Sequence, residues 1–251
     1  MSRLAAHAAT LRDLHQPGNP LVLPNIWDVA TAHLVAEAGF PVVATSSSAV
    51  ANSLGFPDGE KIPAADMFAA VRRIADAVGL PVTADIEAGY GLDGPDLVAA
   101  VLAAGAVGIN LEDTDHGNHG LQDPDAQAER IAGIRAAADA AGVPLVINAR
   151  VDVFIQATDP ADHASVFDDG VGRAKHYRDA GADSIYPIAL ADPALIGEFV
   201  RQVEAPVNIM LRPPAPPVAE LAGLGVARIS LATGLWRVSL RAVRDELAGL
   251  R

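Results

Sequence analysis

The sequence predicts an α/β fold of the (β/α)8 class, a TIM barrel, with an additional helix at the N-terminus. Short runs rich in Val and Ile alternate eight times with longer Ala-rich stretches whose apolar residues recur at helical spacing. Eight such units in 251 residues fit one closed barrel, whereas an open doubly wound sheet usually has fewer strands. We therefore predict that residues 1–251 form a single barrel domain.

The predicted elements alternate regularly after a helix over residues 1–15. Several of the later helices end in Ala-Gly, as at Ala38-Gly39 and Ala180-Gly181, and glycine there accepts the left-handed conformation that closes a helix. The eight predicted strands span residues 21–27, 42–47, 82–87, 107–113, 145–151, 184–189, 207–210 and 228–232. The corresponding helices lie near residues 28–38, 64–78, 95–104, 125–141, 163–180, 193–203, 216–224 and 234–250.

The composition restricts the possible partners and chemistry. The chain carries 18 basic and 31 acidic side chains, a net charge of −13, which would repel nucleic acid, so we expect no nucleic-acid partner. With no Cys, the chain has no disulfide, Cys-ligated zinc, iron–sulfur cluster or thiolate nucleophile. No apolar run approaches the ~18 residues that span a bilayer, and the first residues do not resemble a cleaved leader. We therefore expect a cytoplasmic protein that does not enter a membrane.

Polar side chains recur at the C-terminal ends of five predicted strands, where TIM-barrel active sites are found. At a single strand, such a residue is more often a helix N-cap or a solvated loop end. Five strands together favour a functional site. The residues are Asn25, Ser46, Ser47, Ser48, Asp85, Glu87, Glu112, Asp113, Asn148, Arg150 and Asp152.

The acidic residues in this set predict a metal site. Asp85 and Glu87 are two apart, so in a strand both point to one face, and either Glu112 or Asp113 brings a third carboxylate close. Three uncompensated carboxylates would repel one another, and a bound hard cation relieves that repulsion. Oxygen ligands without Cys or a tight His pair favour Mg²⁺, with Mn²⁺ as an alternative, over Zn²⁺. The competing interpretation is a group of surface carboxylates near loops.

Arg150 follows an apolar strand and needs a partner inside the barrel. It could neutralise the acidic cluster as a structural ion pair. It could also bind a substrate carboxylate or an enolate oxygen through its planar fork, and the two functions are compatible.

Two long loops carry the residues best placed to move protons. Residues 51–61 contain Asp58 and could close over a substrate as a lid. Residues 114–123 contain His116, Asn118 and His119, and either histidine is a candidate catalytic residue, although a surface histidine is usually only solvated.

Gly89-Tyr90-Gly91-Leu92-Asp93-Gly94 matches the G-x-G-x-x-G pattern of dinucleotide-binding proteins. Asp85 and Glu87 precede these glycines directly and would oppose the charge of a pyrophosphate. We therefore do not predict a nicotinamide cofactor.

The polar segments, taken together, resemble the isocitrate lyase and phosphoenolpyruvate mutase superfamily from about residue 21 to residue 247. The most specific combination is Asp85-Ile86-Glu87-Ala88-Gly89-Tyr90-Gly91 followed by Leu111-Glu112-Asp113 and Ala149-Arg150. Other segments that carry the resemblance are Pro24-Asn25-Ile26-Trp27-Asp28, Thr45-Ser46-Ser47-Ser48, Leu54-Gly55-Phe56-Pro57-Asp58 and Ala180-Gly181-Ala182-Asp183.

The resemblance implies a Mg²⁺-dependent enzyme that binds an α-keto or α-hydroxy carboxylate. It implies that Asp85 binds the metal, with Glu87 and Glu112 acting directly or through water, and that Arg150 stabilises an enolate. Asp58 falls on the mobile loop of the family. The remaining implied or expected substrate contacts are Ser46, Ser47, Ser48, Asn25, Tyr90, Asn148 and Asn118. A homo-oligomer, a dimer or a tetramer, is also expected.

Residues 114–120 depart from the pattern of the superfamily. Its lyases carry a catalytic Cys in this stretch and its mutase and hydrolase branch carries a Lys, whereas this chain reads Thr-Asp-His-Gly-Asn-His-Gly. Our main hypothesis is a lyase or decarboxylase that cleaves a C–C bond of a small di- or tricarboxylic acid through an enolate. The alternatives are a P–C bond enzyme of the mutase or hydrolase type and a non-catalytic α-keto acid binding protein.

Overall fold

The computed structural model describes residues 2–250 and shows a parallel β-barrel surrounded by helices. The strands are shorter than predicted, because several predicted ends turn out of the sheet toward the loops. Their bounds are β1 Leu21–Leu23, β2 Asn25–Ile26, β3 Val43–Thr45, β4 Val82–Asp85, β5 Gly108–Glu112, β6 Thr114–Asp115, β7 Gly120–Leu121, β8 Val146–Val151, β9 Ser184–Pro187, β10 Asn208–Met210 and β11 Arg228–Ser230.

The strand order confirms the predicted eightfold barrel. One parallel sheet has the order β2-β3-β4-β5-β8-β9 and another has the order β1-β11-β10. β1 and β2 are two segments of a single barrel strand, divided at Pro24, which has no amide hydrogen to donate. On the other side a parallel bridge between Ile185 and Val207 joins β9 to β10, and the Ile185 amide donates to the Pro206 carbonyl at 2.9 Å. β6 and β7 form a small antiparallel hairpin outside the barrel.

The helices follow the predicted alternation with four differences, of which one is an additional short helix, Val153–Gln156, after the fifth predicted strand. Ser47–Ser53 is helical rather than a loop because the Ser46 side chain caps its first turn. The predicted helix 163–180 is divided into a 3-10 turn, Pro160–Ala164, and a separate helix, and the helix near 216–224 is shorter. Among residues 2–250, no helix is long and apolar enough to cross a membrane. The helices are α1 Arg3–Asp13, α2 Val29–Glu37, α3 Ser47–Ser53, α4 Ala64–Ala77, α5 Gly94–Ala103, α6 Pro124–Ala140, α7 Val153–Gln156, α8 Phe167–Asp179, α9 Pro193–Val203, α10 Val218–Gly223 and α11 Gly234–Gly249.

Helix α1 closes the N-terminal end of the barrel. Its Ala5, Ala8 and Leu11 are buried in a cluster with strand residues. A Cβ at Gly108 would lie 2.5 Å from the Leu11 Cδ2 atom, so only glycine allows this approach. The opposite, C-terminal mouth is therefore the end at which the barrel can receive a ligand.

The barrel interior is more polar than the layers of branched apolar residues typical of this fold. Arg228 is fully buried and donates to the Asn110 Oδ1 atom at 3.0 Å, and the same oxygen accepts from Asn148 Nδ2 at 2.8 Å. Ser184 Oγ donates to Asn148 Oδ1 at 2.6 Å. Burial lowers the pKa of Arg228 to about 10. This network fixes the floor of the C-terminal mouth.

His15 makes the stability of the fold depend on pH. Its buried ring donates from Nδ1 to the Leu11 carbonyl at 2.7 Å, and burial lowers its pKa to about 4. Because the unfolded chain binds a proton near pH 6.5 and the folded chain does not, stability from the neutral ring is complete above pH 6.5 and is lost as pH falls toward 4. We expect His15 to account for roughly 1.4 kcal/mol of lost stability between pH 7.5 and pH 5.5.

Urea unfolding of the wild type and of His15→Asn at these two pH values measures this contribution. The variant should lose less stability on acidification, whereas His33→Asn, on an exposed histidine of α2, should behave like the wild type. Equal losses in the wild type and in His15→Asn would contradict the assignment.

Candidate active site

A cavity of about 300 Å³ lies at the C-terminal mouth of the barrel. Its walls come from the ends of β4, β5 and β8, from α3 and α7, and from the two loops predicted to carry proton-transfer groups. The lining residues are Ser47, Asp58, Gly59, Glu87, Glu112, Thr114, His116, Arg150, Asp152 and Ile155. Strands far apart in the chain therefore bring opposite charges to one place.

Asp85 ends β4 next to this cavity. Its Oδ2 atom accepts from the Ser47 amide at 3.0 Å and from Ser47 Oγ at 2.8 Å. Its Oδ1 atom is buried and has no hydrogen-bond partner within residues 2–250. A buried carboxylate oxygen without a partner is unfavourable, and a cation would satisfy it.

Glu87 lies beyond the strand rather than in it. β4 ends at Asp85, and Glu87 has a left-handed backbone with φ of 52°, so the predicted strand geometry over residues 82–87 is wrong at its end. The turn nevertheless buries the side chain, whose Oε2 accepts from the Glu60 amide at 2.5 Å and whose Oε1 accepts from the Tyr90 hydroxyl at 2.9 Å. Burial raises the pKa of Glu87, and the charges of Asp58 and Asp85 add to this effect.

Glu112 ends β5 and faces Glu87 across the cavity. His116 Nε2 lies 2.6 Å from Glu112 Oε1, and the other oxygen forms an ion pair with Arg150. Burial raises the pKa of Glu112 to about 7 despite these partners, and the hydrogen bond to Glu112 raises the pKa of His116.

Glu87, Glu112 and His116 form a group that could hold a metal ion. One ligand atom from each lies within 4.8 Å of the others. The carboxylate oxygens of this group fit the preference of Mg²⁺ for hard ligands, and the buried, unpaired Oδ1 of Asp85 lies outside the group as a further candidate donor. The oxygen and nitrogen donors of these side chains are the observation that supports a metal site here.

Asp113, the alternative to Glu112, points away from the cavity. Its Oδ2 accepts from the Tyr177 hydroxyl at 2.7 Å and from Arg173 at 3.1 Å, and its Oδ1 accepts from the Asp152 amide at 2.8 Å. Successive residues of a strand point to opposite faces, so only one of the two acidic residues can enter the barrel mouth. Asp113 therefore anchors α8 to the barrel.

Arg150 lines the cavity with its guanidinium held in a fixed position. Nε and Nη2 donate to the two carboxylate oxygens of Asp152, each at 2.6 Å, and Thr114 also hydrogen-bonds to Asp152. Nη2 pairs with Glu112 as well. The structure therefore shows Arg150 as a structural ion pair that also lines the cavity, and binding of a substrate oxygen by Arg150 stays a prediction.

Three predicted substrate contacts serve the framework around the cavity. Asn25 joins strand ends, because its Nδ2 donates to the Thr45 carbonyl at 2.8 Å and its Oδ1 accepts from the Leu231 and Ala232 amides at 2.8 and 2.9 Å. Asn148 belongs to the interior network, and Ser46 is the N-cap of α3. These three residues do not line the cavity.

The other predicted residues divide between the cavity and the surface. Ser47 and Asp58 line the cavity, and Tyr90 reaches it through its hydrogen bond to Glu87. Ser48 lies in α3 behind Ser47 and is not among the lining residues. Asn118 and His119 are exposed at the tip of the β6–β7 hairpin, outside the cavity, with the Asn118 side chain bonded to Asp115 at 2.8 Å.

Gly59, Thr114 and Ile155 also line the cavity, although no sequence pattern marks them as site residues. Gly59 lies over the ring of His116, since a Cβ there would be 3.6 Å from Nδ1. Thr114 positions Asp152, and Ile155 supplies an apolar wall. Thr114 lies just after β5, which was the available signal for it. Gly59 lies in the loop after α3 and Ile155 lies in α7, and a glycine or an apolar side chain has no chemical pattern that singles it out.

The positions of His116 and His119 predict that substituting them has very different effects on turnover. His116→Gln removes a titratable group that lines the cavity, and we expect turnover to fall by roughly 10²- to 10⁴-fold. His119→Gln changes an exposed ring on the same hairpin, and we expect turnover within about twofold of the wild type. Steady-state kinetics of both variants provide the comparison, and equal losses would show that the hairpin rather than the imidazole matters.

The fold and this cavity together define a (β/α)8-barrel enzyme whose C-terminal mouth gathers carboxylates, an imidazole and a guanidinium. A family model described as phosphoenolpyruvate phosphomutase matches residues 11–251. The chain therefore belongs to this family, within the isocitrate lyase and phosphoenolpyruvate mutase superfamily, as its motifs predicted.

Individual relatives are similar to this chain over most of its length. An uncharacterized protein of Mycobacterium tuberculosis is 36% identical over 88% of this chain and 81% of its own length. The 2-methylisocitrate lyase of Escherichia coli is 30% identical over 77% of this chain and 69% of its own length.

Solved structures show the same architecture. A protein from Burkholderia cenocepacia J2315, provisionally described as a phosphonomutase, superposes with a TM-score of 0.92 and 40% identity over 98% of this chain and 99% of its own. A phosphonopyruvate hydrolase in complex with oxalate and Mg²⁺ superposes with a TM-score of 0.84 and 26% identity over 100% of this chain and 87% of its own.

Proposed function

We propose that this protein is a Mg²⁺-dependent lyase or decarboxylase that cleaves a C–C bond of a small α-keto or α-hydroxy di- or tricarboxylic acid through an enolate. The observation that carries the proposal is one cavity lined by Asp58, Glu87, Glu112, His116 and Arg150. The similarity to 2-methylisocitrate lyase and to a hydrolase structure that contains oxalate and Mg²⁺ supports both the reaction class and the cofactor.

Each group has a distinct task in this proposal. Asp85, Glu87 and Glu112 would hold Mg²⁺. A bound Mg²⁺ supplies Lewis-acid chemistry where negative charge grows on a substrate oxygen. Arg150, fixed by Asp152, stabilises the same developing charge through hydrogen bonds that need no rearrangement during the reaction.

Substrate binding and proton transfer fall to the remaining cavity residues. The family resemblance assigns the substrate carboxylate to residues 46–48, of which Ser47 lines the cavity. His116 and Asp58 are the groups that can deliver a proton to the carbon released by bond cleavage, because both line the cavity and no Cys is available.

A P–C bond enzyme of the mutase or hydrolase type is the second candidate. The 40% identity to the structure described as a phosphonomutase favours it, and its reaction would use the same charge stabilisation at Arg150. The missing loop Lys and the lyase similarity lead us to prefer C–C cleavage.

Purified protein with Mg²⁺, supplied separately with oxaloacetate, 2-methylisocitrate, 2,3-dimethylmalate and phosphonopyruvate, tests these proposals. Consumption of each acid and formation of its keto-acid product are followed. Turnover of a carboxylate alone supports the lyase or decarboxylase, and turnover of phosphonopyruvate alone overturns it. Tight binding without any turnover identifies an α-keto acid binding protein instead.

We also propose that the protein forms a homo-oligomer through α11. This helix has no buried residue, and Leu240, Val243, Leu247 and Leu250 form an exposed stripe at alternating spacings of three and four. This spacing is typical of a helix that packs along another helix, so a second copy of the chain is the expected occupant.

The double variant Leu240→Glu with Leu247→Glu is therefore expected to reduce the mass measured by light scattering to that of the 25.8 kDa monomer. Leu34→Glu, on an exposed leucine of α2, should leave the mass of the wild type unchanged. A monomeric wild type would overturn the proposal.

A further inference from the structure

The cavity lined by Glu87, Glu112 and Arg150 is called the carboxylate site below. We infer that a second cavity beside the carboxylate site is a subsite for an aliphatic chain that ends in a carboxylate. This lateral cavity has a volume of about 180 Å³, and its lining includes Phe154, Ile155, His163, Met210 and Arg212. The inference rests on the proposed function and deepens it, because it assigns the enzyme to acids whose second carboxylate lies beyond the reacting carbons.

The lateral cavity is next to the carboxylate site, since Ile155 lines both. Ile155 lies in α7, directly after the strand that carries Arg150. On the other side, Met210 packs against Tyr186, whose backbone pairs with that of Arg150. The two cavities therefore share a wall at Ile155, and a ligand held by the carboxylate site would reach the lateral cavity past this side chain.

The size of the lateral cavity indicates a part of a site rather than a site for a separate ligand. Pockets that enclose a whole small molecule generally measure about 300–1,000 Å³. At about 180 Å³, this cavity has room for a chain segment or branch of a molecule whose reacting end lies elsewhere.

The walls and rim of the lateral cavity have the chemistry for such a chain. Phe154 is fully buried, Met210 is nearly so, and the Phe154 ring contacts His163 edge to face at 5.6 Å, so this part of the wall is apolar and well packed. The loop after β10 places Arg212 at the exposed rim. An alkyl segment suits the walls, and an anion suits the rim.

Arg212 and Arg150 differ in whether their guanidinium groups form ion pairs with acidic residues. Arg150 is paired with Glu112 and Asp152. By contrast, none of the ion pairs within residues 2–250 uses Arg212. A guanidinium without a protein partner at the rim of a cavity is suited to bind a carboxylate in bidentate geometry.

A strained residue in the wall supports a binding function. Ala189 follows β9 with φ of 73°, a left-handed conformation that costs an L-residue with a Cβ roughly 1–3 kcal/mol. Glu87 and Tyr90, at the carboxylate site, share this conformation. Strained backbone of this kind concentrates where a protein shapes a ligand site.

Calorimetric titration with three probes in saturating Mg²⁺ tests the subsite. Oxalate reaches only the carboxylate site, 2-oxohexanoate adds an alkyl chain, and 2-oxoadipate adds the same chain with a terminal carboxylate. We expect the wild type to bind 2-oxoadipate at least about tenfold more tightly than 2-oxohexanoate.

Two variants test the contributions of the rim and of the walls of the lateral cavity separately. Arg212→Met should reduce the preference for 2-oxoadipate to about unity and leave oxalate affinity unchanged. Ala157→Leu, which fills the lateral cavity, should weaken both longer acids and leave oxalate unchanged. Arg72→Met, on the exposed face of α4, is the matched control and should behave like the wild type.

The outcomes distinguish this inference from the proposed function. Mg²⁺-dependent oxalate binding without an Arg212-dependent preference for 2-oxoadipate overturns the subsite alone. Arg212→Met that weakens oxalate and 2-oxoadipate equally also overturns it. Absence of Mg²⁺-dependent oxalate binding overturns the proposed function and, with it, the subsite.

Discussion

Replacing Asp85 by Asn is expected to abolish Mg²⁺-dependent ligand binding and turnover while the barrel stays folded. The Asn side chain keeps the size of Asp85 and one oxygen that can accept from Ser47. It replaces the unpaired oxygen by an amide group that cannot bind a cation and removes a negative charge. We expect the affinity for Mg²⁺ in the presence of oxalate to fall at least about 100-fold, about 2.7 kcal/mol.

Calorimetry and the thermal unfolding midpoint together measure this effect. Asp66→Asn, at an exposed position in the first turn of α4, is the control and should retain wild-type affinity. Unchanged Mg²⁺ affinity in Asp85→Asn would remove Asp85 from the metal site. A large fall in the unfolding midpoint would instead assign the carboxylate to the structure around Ser47.

Replacing Arg150 by Lys is expected to lower kcat by roughly 10²- to 10³-fold, the effect of losing one preorganised donor to a developing oxyanion. Lysine keeps the positive charge but cannot contact both oxygens of Asp152 and face the cavity at the same time. Because the lost interaction strengthens in the transition state, kcat should fall more than KM rises.

Arg173→Lys is the matched control for this substitution. Arg173 also pairs with a buried carboxylate, Asp113, but on the outer side of the barrel wall. The Arg173→Lys substitution should lower the stability of the fold and have little effect on kcat. Full activity of Arg150→Lys would leave Arg150 as a purely structural ion pair.

The repeated alternation of strand and helix patterns along the sequence was sufficient to predict the barrel. Apolar strand patterns and Ala-rich helical patterns depend on local spacing, which the linear sequence displays directly. The bounds were less predictable, since the division at Pro24 and the left-handed turn at Glu87 depend on loops that must leave the sheet. α3 was missed because residues 47–53 are a helix fixed by a serine cap rather than by an apolar stripe.

The candidate site was predictable in its chemistry and only partly in its geometry. The motif around Asp85 and Glu87 and the isolated Arg150 indicated a charged barrel mouth, and the cavity contains Glu87 and Arg150 with Asp85 beside it. His116 and His119 could not be ranked from the sequence, because the hairpin that separates them forms through backbone pairing of residues 114–115 with residues 120–121.

The linear sequence was enough to establish the eightfold alternation of strands and helices, the excess of carboxylates, the absence of Cys and the motifs of the superfamily. Which polar groups come into contact depended on the folded barrel. It turned Glu112 into the cavity and Asp113 out of it, joined Asn25 to the residues that follow the last strand, and placed Arg212 and Ile155 around one cavity. The physical reason is that a side chain's direction depends on sheet register and loop conformation, which are set by contacts between residues far apart in the chain.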